Sequence, residues 1–273
     1  MADKISLAGD LGSGKSTVAD ILIRRLGAEY YSTGAIVRSI AARHGMSVVE
    51  LNVYMETHPE IDTEIDNGLV ELGKVDKPMV IDSRMAWHFT EGTFKVYLST
   101  DVETSALRIM GANRQGEHAA TLEETIKDTK ARRESEKKRY KTQYGVDIKD
   151  LSNYTLIVDT TVANPTEVAE CILSSLEAWQ SDPEFKAVYI SGERLNYPDD
   201  EPDGEKIAYY STMLEDGEDI PEVRVFEEDG EFYVDGDVEA ALANSFSDSP
   251  FFRATLVKGS SEGKKYVKMK NSL

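Results

Sequence analysis

Apolar residues follow two textures along the chain. From residue 3 to about 180, short apolar runs alternate with longer stretches whose apolar positions recur every three or four residues. "KISLAG", "KPMVIDS", "FKVYLST" and "NYTLIVDTT" read as short buried strands. "KSTVADILIRRLG", "TLEETIKDTKARRESEKKRYKTQYG" and "NPTEVAECILSSLEAWQ" carry helical spacing, the first closed by a glycine stop. Strands separated by helices predict a mostly parallel α/β sheet with ligands at the strand C-termini. After "SSLEAWQSDPEF" the texture shifts to short β-like runs, "FKAVYIS", "EVRVFEE", "GEFYVDG", "FFRATLV" and "KKYVKM", separated by turn pairs. "EEDGEF" reads as a hairpin turn. A boundary near Gln180–Glu184 is expected, with an α/β domain over 1–180 and a smaller α+β domain over 181–273. No internal repeat is visible.

Charge sharpens that division. The net charge is −19, and the stretch from Ser181 onward holds 22 acidic against 10 basic residues. An acidic surface predicts no nucleic-acid and no anionic membrane partner, yet allows a local basic pocket. No apolar run approaches the length of a membrane span. "MADKISLAGD" enters a strand without a basic region and apolar core, so a cytoplasmic protein is expected. The single cysteine, Cys171, lies in an apolar helical pattern and reads as a core residue. Four scattered histidines and this cysteine offer no zinc spacing.

The strongest motif is Gly9-Asp10-Leu11-Gly12-Ser13-Gly14-Lys15-Ser16, a GxxxxGK[ST] loop between a strand and a helix. Glycines let backbone N–H groups curl around phosphate oxygens, and the helix N-terminus adds a positive field. Gly9, Gly12, Ser13, Gly14, Lys15, Ser16 and Thr17 are therefore expected to hold a nucleoside triphosphate. Lys15 would reach its β/γ-phosphates and Ser16 would bind Mg²⁺. The loop alone does not separate a kinase from a switch or a motor.

Downstream, "AEYYSTGAIVR" places a Ser32-Thr33-Gly34 turn before a helix carrying Arg38, whose planar guanidinium suits bidentate phosphate capture. "VIDSRMAWHF" sets Asp82, Ser83 and Arg84 at a strand end. There Arg84 suits a phosphate, and Asp82 suits Mg²⁺ or its waters. In "TKARRESEKKRY", Arg132 and Arg139 are seven apart and share a helix face, whereas Arg133 points elsewhere; Glu134 and Glu136 could pair with them. The carboxylates of "HPEIDTEID" have helical spacing and read as a solvated face. Arg108 and Arg114 follow a strand and are weaker candidates for the donor nucleotide. His88 beside Trp87 reads as packing.

Taken in order, "GDLGSGKSTVADIL", "YYSTGAIVR", "HPEIDTEID", "IDSRMAWHF", "RRESEKKRYKTQYGVDIKDLSNYTLIVDTT" and "NPTEVAECI" resemble the cytidylate kinases, in particular the short-insert archaeal type and related bacterial proteins, over residues 3–180. The resemblance implies a P-loop NTPase-type parallel sheet flanked by helices. It implies ATP- and Mg²⁺-dependent transfer of the γ-phosphoryl to a nucleoside monophosphate, with CMP or dCMP preferred. Lys15, Arg84, Arg132 and Arg139 would be catalytic. Ser32, Gly34, Arg38, Asp82 and Arg84 would bind the acceptor, the basic helix would form the lid, and Asp62 or Asp66 would meet base or ribose. Related kinases often have Glu-Gly-Arg where this chain has Asp-Ser-Arg. No general base is required, because the acceptor is already a phosphate dianion. A P-loop kinase of another small metabolite and a nucleotide-gated adaptor stay open as alternatives. "PEVRVFEEDGEFYVDGDVEAALANSF" is faintly similar to the ParB/sulfiredoxin-like fold, with Asp237 and Glu239 where basic groups are usual. That implies a degenerate module for self-association or contact with another protein.

Overall fold

In this computed structural model, residues 3–111 and 121–268 are described. The first part of the chain gives β1 (Lys4–Gly9), α1 (Lys15–Leu26), β2 (Glu29–Ser32), α2 (Thr33–His44), α3 (Val48–Met55), α4 (Pro59–Gly73), β3 (Met79–Asp82) and α5 (Ala86–Phe89). It continues through β4 (Phe94–Ser99), α6 (Val102–Gly111), α7 (Leu122–Tyr144), β5 (Leu156–Asp159) and α8 (Pro165–Ser181). Then follow β6 (Ala187–Ile190), β7 (Leu195–Pro198), α9 (Gly204–Glu215), β8 (Arg224–Glu228), β9 (Glu231–Val234), α10 (Val238–Ser245), β10 (Phe252–Leu256) and β11 (Tyr266–Lys268).

The strands form one sheet in the order β11-β7-β9-β8-β10-β6-β5-β4-β1-β3-β2. From β2 to β6 every pairing is parallel. β1 is flanked by β3 on one side and β4 on the other, so connections depart in both directions from its end and leave a crevice there. Ile5 and Leu7 of β1 are fully buried, as expected for a central strand covered on both faces.

β2 was not anticipated as a strand. It is a partly exposed edge strand of four residues, too short to show a period. Ser32 therefore ends a strand rather than opening a turn. It caps α2, its hydroxyl accepting from the Ala35 N–H at 3.3 Å.

The expected boundary falls at the end of α8, and the sheet continues across it. β6 pairs in parallel with β5 and antiparallel with β10. One apolar cluster joins Tyr97, Leu151 and Ile157 to Leu195, Val225 and Phe232. The "EEDGEF" hairpin forms as expected: Glu228 pairs with Glu231, and Asp229 and Gly230 both have positive φ, 54° and 86°, as a type I′ turn requires. Cys171 is buried in the core. Among the described residues no helix is long and apolar enough to cross a membrane.

Candidate active site

The loop after β1 follows from its glycines. A Cβ on Gly9 would lie 2.3 Å from the Leu98 carbonyl oxygen, and one on Gly12 would lie 2.5 Å from that of Ser105. No side chain fits at either position, so the backbone packs directly on β4 and α6. The Lys15 ammonium, at the start of α1, donates to the carbonyls of Gly9 (3.0 Å) and Asp10 (2.7 Å). Burial pushes Lys15 down to about 8, and the nearby Arg84 charge adds to this, while Asp82, Asp10 and Glu136 oppose it. Ser13 is buried, its hydroxyl bonded to the Asp10 carbonyl at 2.8 Å; Ser16 and Thr17 are exposed on the first turn of α1.

A cleft of about 1170 Å³ opens on one side of this loop. Strand register assembles its far wall, because Ser32 lies beside Asp82 and Asp82 beside Leu7. The Tyr30 hydroxyl donates to the Asp82 carboxylate at 3.1 Å, and Thr33 to the Asp82 carbonyl at 3.3 Å. Arg38 lies one turn after Gly34, and its guanidinium sits over that glycine, Nη1 being 3.5 Å from where a Cβ would stand. Arg38 is exposed and, among the described residues, makes no ion pair.

Helix α7 covers the cleft. Its inward face is polar, burying Thr125, Thr129, Glu136 and Arg139. The Glu136 carboxylate is gripped by Arg84 at 2.6 Å and Arg132 at 3.1 Å. Burial would raise Glu136, but Arg84, Arg132 and Arg139 outweigh it and hold the carboxyl below its ordinary range. Arg139 is buried against Asp62 at 2.8 Å and donates to the side chain and carbonyl of Asn52 at 3.2 and 3.3 Å.

The "HPEIDTEID" segment differs from its expected solvated face. Asp62 and Asp66 are only 2% and 6% exposed. They lie on the face of α4 that also buries Ile65 and Leu69. The partners that make this tolerable come from α7: Arg139 for Asp62, and the Tyr144 hydroxyl, 2.5 Å from Asp66. Burial drives Asp66 up to about 6, with Asp62 adding to it and the Tyr144 bond opposing.

Arg133 does point away from the Arg132 and Arg139 face. It comes to 3.6 Å from the Asp10 carboxylate in the glycine loop. Asp10 is also held by the Lys149 ammonium, the Tyr97 hydroxyl (2.9 Å) and the Thr100 N–H (3.1 Å). Burial opposes its charge, but Lys149 and Arg133 prevail and keep it well below the usual carboxylate range. Thus α7 touches the cleft with one face and the loop with another.

On the other side of the loop lies a second cleft of about 940 Å³, walled by Gly12–Gly14, Thr17 and the segment around Val162 and Ala163. Arg108 borders it, with its guanidinium bonded to the Thr160 carbonyl at 2.7 Å and the Thr161 carbonyl at 3.3 Å. Arg114 lies outside the described residues. His88 packs edge-on against Trp87 and Phe89, as its neighbourhood in the sequence suggests.

The sequence model of the cytidylate kinase-like family matches residues 4–162, which span every wall of the first cleft. The chain belongs to this family. It is 36% identical over 178 residues to a cytidylate kinase of Thermoplasma volcanium, covering 64% of this chain and 91% of that protein. It is 35% identical over 175 residues to a cytidylate kinase of Archaeoglobus fulgidus (64% and 94%), and 38% identical over 156 residues to one of Methanothrix thermoacetophila (57% and 87%). The protein is thus a kinase with the family's P-loop, and the matched region ends before α8. The pairing of Glu136 with the arginines, offered by its i,i+4 spacing from Arg132, is borne out, and Arg84 joins it from the end of β3. What the sequence of this kinase left unread is the burial of Asp62 and Asp66 and the hold of Arg133 and Lys149 on Asp10.

Proposed function

We propose that the chain catalyses ATP-dependent phosphorylation of a nucleoside monophosphate, with CMP and dCMP as the favoured acceptors. The observation that carries this reading is the first cleft, where Arg38, Arg84, Arg132 and Arg139 line the same space as Lys15. A single triphosphate does not need four arginines beyond the loop; a second phosphate group facing it does. Names of the relatives support cytidylate as that acceptor.

In this scheme the P-loop N–H groups and Lys15 hold the donor phosphates, with the nucleobase in the second cleft beside Val162 and Arg108. Arg38 and Arg84 grip the acceptor phosphate, with Ser32 and Gly34 shaping the wall beneath it. The residues also fit a divalent cation: the Ser16 hydroxyl and the Asp82 carboxylate flank the loop, two oxygen donors to which phosphates and waters would add the rest. Bound Mg²⁺ would supply neutralisation of charge on the donor phosphates.

An acceptor phosphate oxygen attacks the γ-phosphorus, the bond to the β–γ bridging oxygen breaks, and ADP leaves with that electron pair. Lys15, Arg84 and Arg132 stabilise charge on the transferring group while α7 excludes water. Arg139 adds its charge at the acceptor end, and its pairing with Asp62 orders α7 over it. Asp66 faces the sugar or base. No proton need be removed from the acceptor.

A coupled assay of ADP release across CMP, dCMP, UMP, AMP and GMP tests the proposal. The expected result is the highest kcat/KM with CMP or dCMP. ATP hydrolysis alone, unaltered by any monophosphate, would sink it.

A further inference from the structure

Arg194 lies in a 3₁₀ turn (Gly192–Arg194) just after β6, well past the end of the family match at residue 162. It is one of the largest fully buried side chains in the protein. Its guanidinium does not face the C-terminal segment alone. Nη1 donates to the Asp159 carboxylate at 3.0 Å, the Thr161 hydroxyl at 3.2 Å and the Ser99 hydroxyl at 3.5 Å. Nη2 donates to the Gly230 carbonyl at 2.9 Å, in the β8–β9 hairpin, and the group lies over the Phe232 ring at 5.4 Å. Asp159 in turn accepts from the Thr161 hydroxyl (2.7 Å), the Thr161 N–H (3.3 Å) and the Ser191 N–H (3.3 Å).

Thr160 and Thr161 run directly into Val162, the lip of the second cleft. They are held from both sides by guanidiniums: Arg108 of α6 takes their carbonyls, and Arg194 takes the Thr161 hydroxyl and its Asp159 partner. A planar fork with fixed donors sets position more sharply than an ammonium can. A buried pair of this kind also ties together the elements that supply its two members, since neither charge is tolerable alone.

We infer that the C-terminal segment braces the donor-nucleotide site from behind, with Arg194 as a positioning residue for the Thr160–Val162 lip. The inference rests on the reading of the second cleft as the donor site. By linkage, donor binding stabilises the β8–β9 hairpin, and loosening the hairpin weakens donor binding.

The test uses the full chain with Arg194→Lys and Thr161→Val. Arg194→Lys keeps the charge and removes the fork; Thr161→Val removes the shared hydroxyl and no charge. Expected for each is a rise in the ATP KM of about tenfold, the scale of one or two lost hydrogen bonds, with the monophosphate KM and kcat within about twofold. A fall in kcat with both KM values unchanged would mean only less folded enzyme, and would overturn the inference. If Arg194→Lys shows no melting transition, Thr161→Val decides alone, and an unchanged ATP KM overturns it. Val162→Arg, which fills the cleft, separates the two levels. If it leaves the ATP KM unchanged, the donor-site reading fails and this inference with it. If it raises the ATP KM while the other two variants do not, only the inference fails.

Discussion

The two clefts share the glycine loop as a wall and are otherwise built on opposite principles. The first is a charged cleft, with arginines from α2, the end of β3 and α7 and carboxylates from α4 and α7. The second is walled by the loop backbone and by uncharged side chains such as Thr17, Ile109, Val162 and Pro165; among the described residues the arginine that borders it, Arg108, is committed to two carbonyls. A phosphate needs charge aimed at it from several directions, whereas a nucleobase needs a slot of fixed width. The charged cleft carries a cost the other avoids. Its less exposed arginines, Arg84, Arg132 and Arg139, are paired with Glu136 and Asp62, whereas Arg38 stays exposed. Under the proposed function, a phosphate entering there would compete with a carboxylate for Arg84 and Arg132.

That contrast can be broken most directly at the shared wall. Lys15→Met should lower kcat by about 10²–10³-fold, the size of losing one preorganised charge partner, in the coupled ADP-release assay. A loss below tenfold would mean that the loop does not serve both clefts. Next is the charged side alone. Arg38→Ala should raise the monophosphate KM by about 10–100-fold, as expected for a lost charge-assisted hydrogen bond, and leave the ATP KM within about twofold. Arg84→Ala should also lower the melting temperature, because it removes one of the two cations that grip Glu136. Equal effects on both KM values would show that the clefts are not functionally separate.

The pH dependence sharpens the comparison further. Burial lowers Lys15 to about 8, so its ammonium is charged below that pH and neutral above it. For the free enzyme, kcat/KM for ATP should fall about tenfold per pH unit above pH 8, while kcat, measured with phosphates bound, holds to higher pH. A profile of kcat/KM flat to pH 10 would refute this.

The smallest effect is on stability, at the far end of the charged cleft. The folded value for Asp66, about 6, lies above its ordinary 3.8. Its contribution is therefore fully present below about pH 3.8 and lost as pH rises through about 6. Compared with Asp66→Asn, the natural chain should lose about 1–3 kcal/mol between pH 4 and pH 7, each pKa unit being about 1.4 kcal/mol. Urea unfolding at the two pH values measures it; an equal difference at both would show that Asp66 is not buried as described.

Several features were readable before any fold was known. The GxxxxGK[ST] loop is local: its glycine spacing, the strand before it and the helix after it all lie within about two dozen residues. The parallel texture of β1, β3, β4 and β5 is equally local, and so is the shared face of Arg132 and Arg139. Arg38 and Arg84 were picked out because each follows a turn or strand end, where ligands bind in such sheets. β2 escaped because four half-exposed edge residues show no period.

The rest was decided by residues far apart in the chain. "HPEIDTEID" has the same helical spacing whether its carboxylates face water or a cation. The choice was made by Arg139 and Tyr144, which are 77 and 78 residues away from Asp62 and Asp66 respectively. Asp10 reads as a variable loop position until Lys149, 139 residues later, is folded against it. Arg194 reads as one of few basic residues in an acidic stretch, and only the sheet running unbroken from β5 to β6 brings it to Asp159. Local pattern determined which elements form and which loop binds phosphate, because backbone geometry and periodicity act over a few residues. Which charges are buried, and with whom, belonged to the tertiary structure, because burying a charge is tolerable only beside a partner that the fold must deliver.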